Sequence, residues 1–287
     1  MSVTLVTGAL GNIGSRVVSN LVKAEGRVRA LVRRPDAAAA KLGPSVEAVT
    51  GAYDDAAALR AAMAGVSKAV FITAGPALAK ADAALAEAAK AAGVRHVVKL
   101  SVYGARHGAS EIPGWHRAGE ESIEASGIPW TFVRPGSFAS NALGWAGSLR
   151  GTGKAFGAFG AAAIPVIHPD DIADVIALAV TAAGSSHEGK VYEIIGPEAL
   201  TAAQQVGIIS EVTGKSYEYV NVDDDAALRG MVGSGMPQAM AEALLHLVQS
   251  LRAAAPQLPA QPEVQRLLGQ PARTFRAWVE ANAAAFR

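Results

Sequence analysis

A short β-branched run, Val3-Thr4-Leu5-Val6-Thr7, leads straight into Gly8-Ala9-Leu10-Gly11-Asn12-Ile13-Gly14 and then into residues with helical periodicity. Three glycines at this spacing do separate jobs in one turn. Gly8 permits the tight bend, Gly11 lets backbone amides come close to an anion, and Gly14 lets the helix lie close on the strand. The expected helix, Asn12–Ala24, carries Ile13, Val17, Val18, Leu21 and Val22 on one face. Its free N–H groups and positive end point back at the turn, where an anion is stabilised. A glycine triplet alone is weak, but between a first strand and a helix it points to the pyrophosphate of a dinucleotide.

The alternation continues. Arg27–Val32, Val46–Thr50, Ala69–Thr73, Val94–Ser101 and Trp130–Arg134 read as strands, with Asp55–Met63, Lys80–Ala92 and Gly119–Ala125 as helices and Ala37–Ala40 as a helix start. This order implies right-handed βαβ crossovers and a parallel sheet. The strands are apolar almost throughout, as a sheet covered on both faces requires. After Pro135 the pattern loosens. Asp170–Ala182 and Ala202–Val212 read as helices and Lys190–Ile195 and Ser216–Val222 as strands. Asp223–Arg287 reads as helices broken near Gly233–Pro237 and at Pro256, Pro259, Pro262 and Pro271. The stripe Met236, Met240, Leu244, Leu247 and Leu251 is read as core packing, with a lid or a homodimer face as the alternatives.

The end of the second strand selects the cofactor. An NAD site places an acid about 20 residues beyond the turn for the ribose 2′-hydroxyl, but this chain reads Leu31-Val32-Arg33-Arg34-Pro35. A carboxylate would repel a 2′-phosphate, whereas a guanidinium binds it in two-pronged fashion. NADP(H) is therefore the expected cofactor, with Arg33 on the 2′-phosphate and Arg34 able to share it; the alternative is that both arginines are solvated charges at the strand end. The fold expected is α/β, a Rossmann-type doubly wound parallel sheet with a smaller α/β C-terminal substrate lobe. Residues 1–150 form the NADP-binding Rossmann domain, with later returns from about 165–195. Residues 196–287 form the mainly helical substrate lobe.

Composition closes off other classes. Half the residues (51%) are hydrophobic and 18% are charged, which excludes a disordered chain. Lys and Arg number 26 against 25 Asp and Glu, so no basic excess suggests nucleic acid. Cys is absent, which removes disulfides, thiolate metal sites and cysteine nucleophiles. The chain has no HExxH and no nucleophile elbow; Gly214-Lys215-Ser216 ends like a phosphate loop, but Ile209 stands where the first Gly belongs. No metal is expected, and Asp223-Asp224-Asp225 reads as a helix start. The apolar stretch from Ala155 to Ile167 is broken by Gly157, Gly160 and Pro165, so no membrane span is expected. With no signal-type leader in Met1–Val6, the expected location is cytoplasmic.

The Thr7-Gly8-x-x-Gly11-x-x-Gly14 turn resembles that of the extended and atypical short-chain dehydrogenase/reductases. Ser126-Gly127-Ile128-Pro129-Trp130-Thr131-Phe132-Val133-Arg134-Pro135-Gly136, with Phe138 and Asn141, is similar to the NmrA-like branch, as is Ile167-His168-Pro169-Asp170-Asp171-Ile172-Ala173. The resemblance covers about residues 1–200. It implies that Gly8, Leu10, Gly11, Asn12 and Ile13 line the pyrophosphate and that Thr73, Ala74 and Gly75 follow the ribose and nicotinamide. It also places Pro135 and Ser137 near the nicotinamide and Tyr53 beside the adenine. Gly51-Ala52-Tyr53 carries Ala where the family often has Asp.

The family's usual Tyr-x-x-x-Lys pair is missing, since none of the five tyrosines has Lys four positions on. Only Ser101 resembles part of the usual catalytic set. The candidate proton donors are Tyr103 and His116, with Glu120 one helical turn on to orient the imidazole; the alternative is a surface pair at a helix start. Tyr103, Trp115, Phe138, Trp145, Phe156 and Phe159 are candidates to line a substrate pocket between the sheet's carboxyl edge and the tail. The expected activity is NADP(H)-dependent hydride transfer to a small organic substrate of quinone, imine or carbonyl type. The alternative is a non-catalytic redox sensor that binds a partner protein.

Overall fold

The structure, a computed structural model, describes residues 3–108, 110–254 and 263–287. They divide into two compact units. The first contains Met1–Ala109, Pro113–Pro135 and Pro169–Glu193. Its elements are β1 (Val3–Val6), α1 (Asn12–Lys23), β2 (Arg27–Val32), α2 (Pro35–Leu42), β3 (Val46–Thr50), α3 (Ala56–Met63), β4 (Val66–Phe71), α4 (Leu78–Ala91), β5 (His96–Leu100), α5 (Glu111–Ser126) and β6 (Trp130–Pro135).

The remaining strands and helices are β7 (Ser137–Phe138), α6 (Ala146–Thr152), β8 (Lys154–Gly157), β9 (Ile164–Ile167), α7 (Pro169–Thr181), β10 (Lys190–Ile194), β11 (Ala199–Leu200) and α8 (Ala202–Thr213). They are followed by β12 (Glu218–Asn221), α9 (Asp224–Gly233), α10 (Gln238–Ala253), α11 (Glu263–Leu268) and α12 (Phe275–Asn282). Helix α7 and most of β10 belong to the first unit. The breaks expected at Pro256, Pro259 and Pro262 lie outside the described residues.

The main sheet has the order β10-β6-β5-β4-β1-β2-β3, and the pairings from β6 through β3 are all parallel. Chain order reverses between β1 and β4, which is the switch point where a doubly wound sheet opens a crevice at its carboxyl edge. On one side α1 buries Ile13, Val17, Val18 and Leu21 and packs against α7. A core cluster joins Leu59 and Met63 of α3, Leu85 of α4 and Ile123 of α5 to Leu5, Phe71, Val97 and Phe132 of the strands. Strands β1 and β5 are buried along their whole length, as a sheet covered on both faces requires, and the polar Thr4, His96 and Lys99 are buried with them.

Helix α5 is much longer than the segment 119–125 the sequence suggests. Ile112-Pro113-Gly114 reads as a breaker, but Pro113 sits in the first turn, where its missing N–H has no intrahelical partner to lose.

The second unit contains Ser110–Ile112, Gly136–His168 and Ile194–Arg287. Residues 136–150, assigned to the first domain from sequence, pack here instead. Ala139, Ala142, Ala146 and Leu149 join a core with Val206, Ile209, Phe275, Trp278 and Phe286, and that apolar contact outweighs chain continuity. Helix α10 buries Ala241, Leu245 and Val248, whereas the Met240–Leu251 stripe is only half-buried. The helix starts after Pro237, and its inward face is turned one residue from the stripe read in the sequence. No helix among the described residues is long and apolar enough to cross a membrane.

Strand β5 begins with a buried histidine. His96, 5% exposed, holds its Nε2 2.8 Å from the Thr131 hydroxyl. Burial lowers its pKa to about 4, with the charges of Lys68 and His187 adding. The folded pKa lies below the unfolded value, so this stability is full above pH 6.5 and is lost as pH falls toward 4. Melting curves from pH 7 down to pH 4.5 are expected to lose stability with a slope of at most about 1.4 kcal/mol per pH unit from this residue. His96→Gln should flatten that part of the slope; an unchanged slope would remove His96 as its source.

Candidate functional site

The site begins at the carboxyl ends of β1 and β4. The Thr7 hydroxyl accepts from the Ile72 amide at 2.8 Å and so ties the two strand ends together. Gly8 takes a positive φ of 60°, which L side chains rarely adopt. A Cβ at Gly14 would lie 2.1 Å from the Gly8 carbonyl oxygen, so only glycine lets α1 approach the turn this closely. Gly11 is the N-cap of α1 and brings no side-chain cap, and the first turn holds no acid. No side chain among the described residues therefore caps the start of the helix, where an anion is stabilised.

A cavity of about 820 Å³ lies over this turn. Gly8, Ala9, Leu10 and Gly11 form its floor. Leu31–Arg34 supply one wall and Gly51–Asp54 the next. Ile72, Ala74, Ala77, Lys80 and Ala81 close the side formed by the β4–α4 connection and α4. Arg33 and Arg34 are exposed and have no carboxylate partner among the described residues, while Lys41 reaches from α2 to the Leu10 carbonyl at 2.8 Å. The tail of Tyr53 turns inward, its hydroxyl 3.4 Å from the Ile72 carbonyl, and burial raises its pKa. Glycine cradle, uncapped helix end and free guanidinium groups together suit a phosphorylated dinucleotide.

Of the residues selected from sequence, Gly8, Leu10, Gly11, Arg33, Tyr53 and Ala74 line the cavity. Asn12 and Ile13 open α1, with Asn12 exposed and accepting from Arg16 at 2.7 Å and Ile13 buried. Thr73 is buried and donates to Asp82 at 2.9 Å, and Gly75 follows it in a positive-φ turn. Pro135 ends β6, whereas Ser137 lies in the second unit and accepts from Asn141 at 3.3 Å. Asp54 and Lys80 line the cavity without having been singled out, and Arg34, raised as a partner to Arg33, lines it too. Lys80 carried no signal, because only the parallel order of β1 and β4 brings the start of α4 to this edge.

Beside the cavity wall the first unit holds a buried polar network. The Glu120 carboxylate, fully buried, accepts from Ser101 at 2.6 Å and from Arg134 at 2.9 and 2.7 Å. Arg117 adds a contact at 3.3 Å. Glu120 is thus committed to two arginines and a serine and does not orient His116, nor do the two make a surface pair. Helical spacing shows which residues share a face, and burial decided the partner here.

His116 has its Nδ1 sealed from solvent with no hydrogen-bond partner among the described residues. Burial drives its pKa down to about 3, with the nearby charge of Lys99 adding. The imidazole is therefore neutral at pH 7 and does not titrate near neutrality as its residue type suggests. Tyr103 follows β5, its amide donating to the Pro135 carbonyl at 2.8 Å, and burial with the Glu193 charge raises its pKa. In the second unit Trp145 packs edge-on against Tyr219 with ring centroids 6.0 Å apart, while Phe156 is 46% exposed.

Known proteins agree with this geometry. A family model described as NAD(P)H-binding matches residues 8–183. The (4-alkanoyl-5-oxo-2,5-dihydrofuran-3-yl)methyl phosphate reductase of Streptomyces griseus subsp. griseus is 41% identical over 284 residues, 98% of each chain. The NAD(P)H azoreductase of Xenophilus azovorans is 35% identical over 287 residues, again 98% of each. The solved NADPH complex of the NADPH-dependent quinone oxidoreductase of Escherichia coli aligns with a TM-score of 0.86 at 28% identity, over 97% of this chain and 99% of that one. With the glycine turn, the sheet order and a family match over most of the chain, this protein belongs to the NAD(P)H-binding family.

Proposed function

We propose that this chain is an NADPH-dependent reductase for small conjugated acceptors: quinones, azo compounds and unsaturated carbonyl compounds. The observation that carries the reading is a pairing. A cavity built for a phosphorylated dinucleotide lies in the same unit as two candidate acids, neither of which titrates near neutrality. Bound NADPH supplies the hydride. The chain's own part is to bind and orient: the turn and the start of α1 hold the pyrophosphate, Arg33 holds the 2′-phosphate, and Tyr53 flanks the adenine. Thr73, Ala74 and Gly75 follow the ribose toward the nicotinamide.

The acid chemistry narrows the acceptor. His116 at a pKa of about 3 is an imidazolium in only about one molecule in ten thousand at pH 7. Tyr103 keeps its proton and can donate a hydrogen bond, but its raised pKa makes it a poor source of a full proton. An acceptor whose two-electron reduction leaves a resonance-held anion needs little help, and water then supplies the proton. Quinones, azo bonds and unsaturated lactones are of that kind, and the names of the relatives include all three. Those relatives are reductases by name, and no observation favours the partner-binding sensor.

NADPH oxidation with a quinone, an azo dye, an unsaturated lactone and a simple ketone should show turnover with the first three and little with the ketone. Turnover with none would refute the reductase reading. With an accepted quinone, kcat/KM should stay level from pH 6 to 8. An inflection near pH 6.5 that His116→Ala removes would return the imidazole to the role of acid.

Cofactor choice is tested separately. Arg33→Ala should weaken NADPH by about 1.5 to 3 kcal/mol, one to two decades in affinity, and leave NADH nearly unchanged. Arg34→Ala, made alongside, shows whether the two guanidinium groups share the phosphate. An unchanged NADPH to NADH ratio in the double variant would remove both from the phosphate site.

A further inference from the structure

Three side chains behind the cavity wall form a closed triangle. Lys99 of β5 places its Nζ 2.5 Å from Asp82 Oδ2 of α4, and both side chains are fully buried. The Thr73 hydroxyl, just past β4, donates to Asp82 Oδ1 at 2.9 Å, and Lys99 Nζ reaches the same hydroxyl at 3.3 Å. Helix α5 completes the enclosure: a Cβ at Gly119 would lie 2.2 Å from Asp82 Oδ2, so the helix approaches the carboxylate only because this residue has no side chain.

The position of the triangle matters. Thr73 and Asp82 bracket the segment that supplies Ala74, Ala77, Lys80 and Ala81 to the cavity. The triangle joins the two ends of that segment and fastens both to β5. Stability alone does not account for it, because replacing a buried ion pair with apolar groups of similar volume is often neutral or stabilising. A charge pair does fix geometry, since each partner has few positions that keep it satisfied. We infer that Lys99 and Asp82 are positioning residues that set the wall against which NADP(H) lies, acting through Thr73. This inference rests on the cavity being the NADP(H) site.

Breaking the pair at one end leaves a lone buried charge, so single variants risk unfolding. The informative protein is the full chain carrying Asp82→Leu and Lys99→Met together. Its melting temperature and its NADPH affinity, followed by cofactor fluorescence, are measured against wild type. The expected result is a melting temperature at or above wild type with NADPH bound about tenfold or more weakly. Wild-type melting with wild-type affinity would overturn the inference. If the double variant does not fold, Asp82→Asn with Lys99→Gln decides, because together they keep volume and polar contacts, leave Thr73 in place and remove both charges. Weaker NADPH binding with folding intact supports the role, and unchanged binding refutes it. The wild-type titration separates the two levels: no NADPH binding there means the cavity reading itself fails, whereas normal wild-type binding with a normal variant removes only the ion pair's role.

Discussion

The contact between Gly14 and the Gly8 carbonyl sets the geometry on which the site depends. With no side chain at Gly14, α1 can lie directly on the turn that leaves β1. That approach aims the uncapped end of α1 at the carboxyl edge of the sheet. The Thr7 hydroxyl then ties this strand end to Ile72, so the cavity floor and the start of its far wall are held by one side chain. A methyl group at Gly14 would have to push the helix outward and carry the anion site with it.

Much of this was legible because it is local. The glycine spacing, the β-branched strands and the missing acid after β2 are all read within short windows, and each corresponds to a feature of the cavity. The start of α5 was not legible, because Pro113 and Gly114 suggest a break unless the proline is known to sit in the first turn. The partner of Glu120 was not legible either. Spacing of four residues offered His116, but Arg134 lies on β6 and Ser101 just past β5, and the adjacency of those strands appears only when the sheet is assembled.

Lys99 shows the same limit. In sequence it looks like a charge closing a strand on its way to solvent, and in the sheet it is fully buried. A buried ammonium needs a counter-charge, and the nearest in sequence gives no hint. Asp82 lies within an alanine-rich stretch of helix, where an acid reads as part of a solvated face. Parallel pairing of β4 with β5 brings α4 over Lys99, and the pairing is then forced by burial. Long-range partners of buried charges are set by topology, which no local pattern encodes.

Both fully buried carboxylates of the first unit's polar network are committed to cations, Asp82 to Lys99 and Glu120 to Arg134 and Arg117. Protonating either one would weaken a buried charge pair. His116 is held neutral by burial and by the Lys99 charge that satisfies Asp82. The charged groups of this network hold elements in place, and the proposed reading leaves proton transfer to solvent. On the proposed reading, rate is gained through placement of cofactor and acceptor, and the acceptors that suit the site are those for which placement suffices. The absence of the Tyr-x-x-x-Lys pair fits the proposed kind of acceptor: a ketone, whose alkoxide must be protonated as it forms, needs that pair, while an acceptor that delocalises the incoming charge does not.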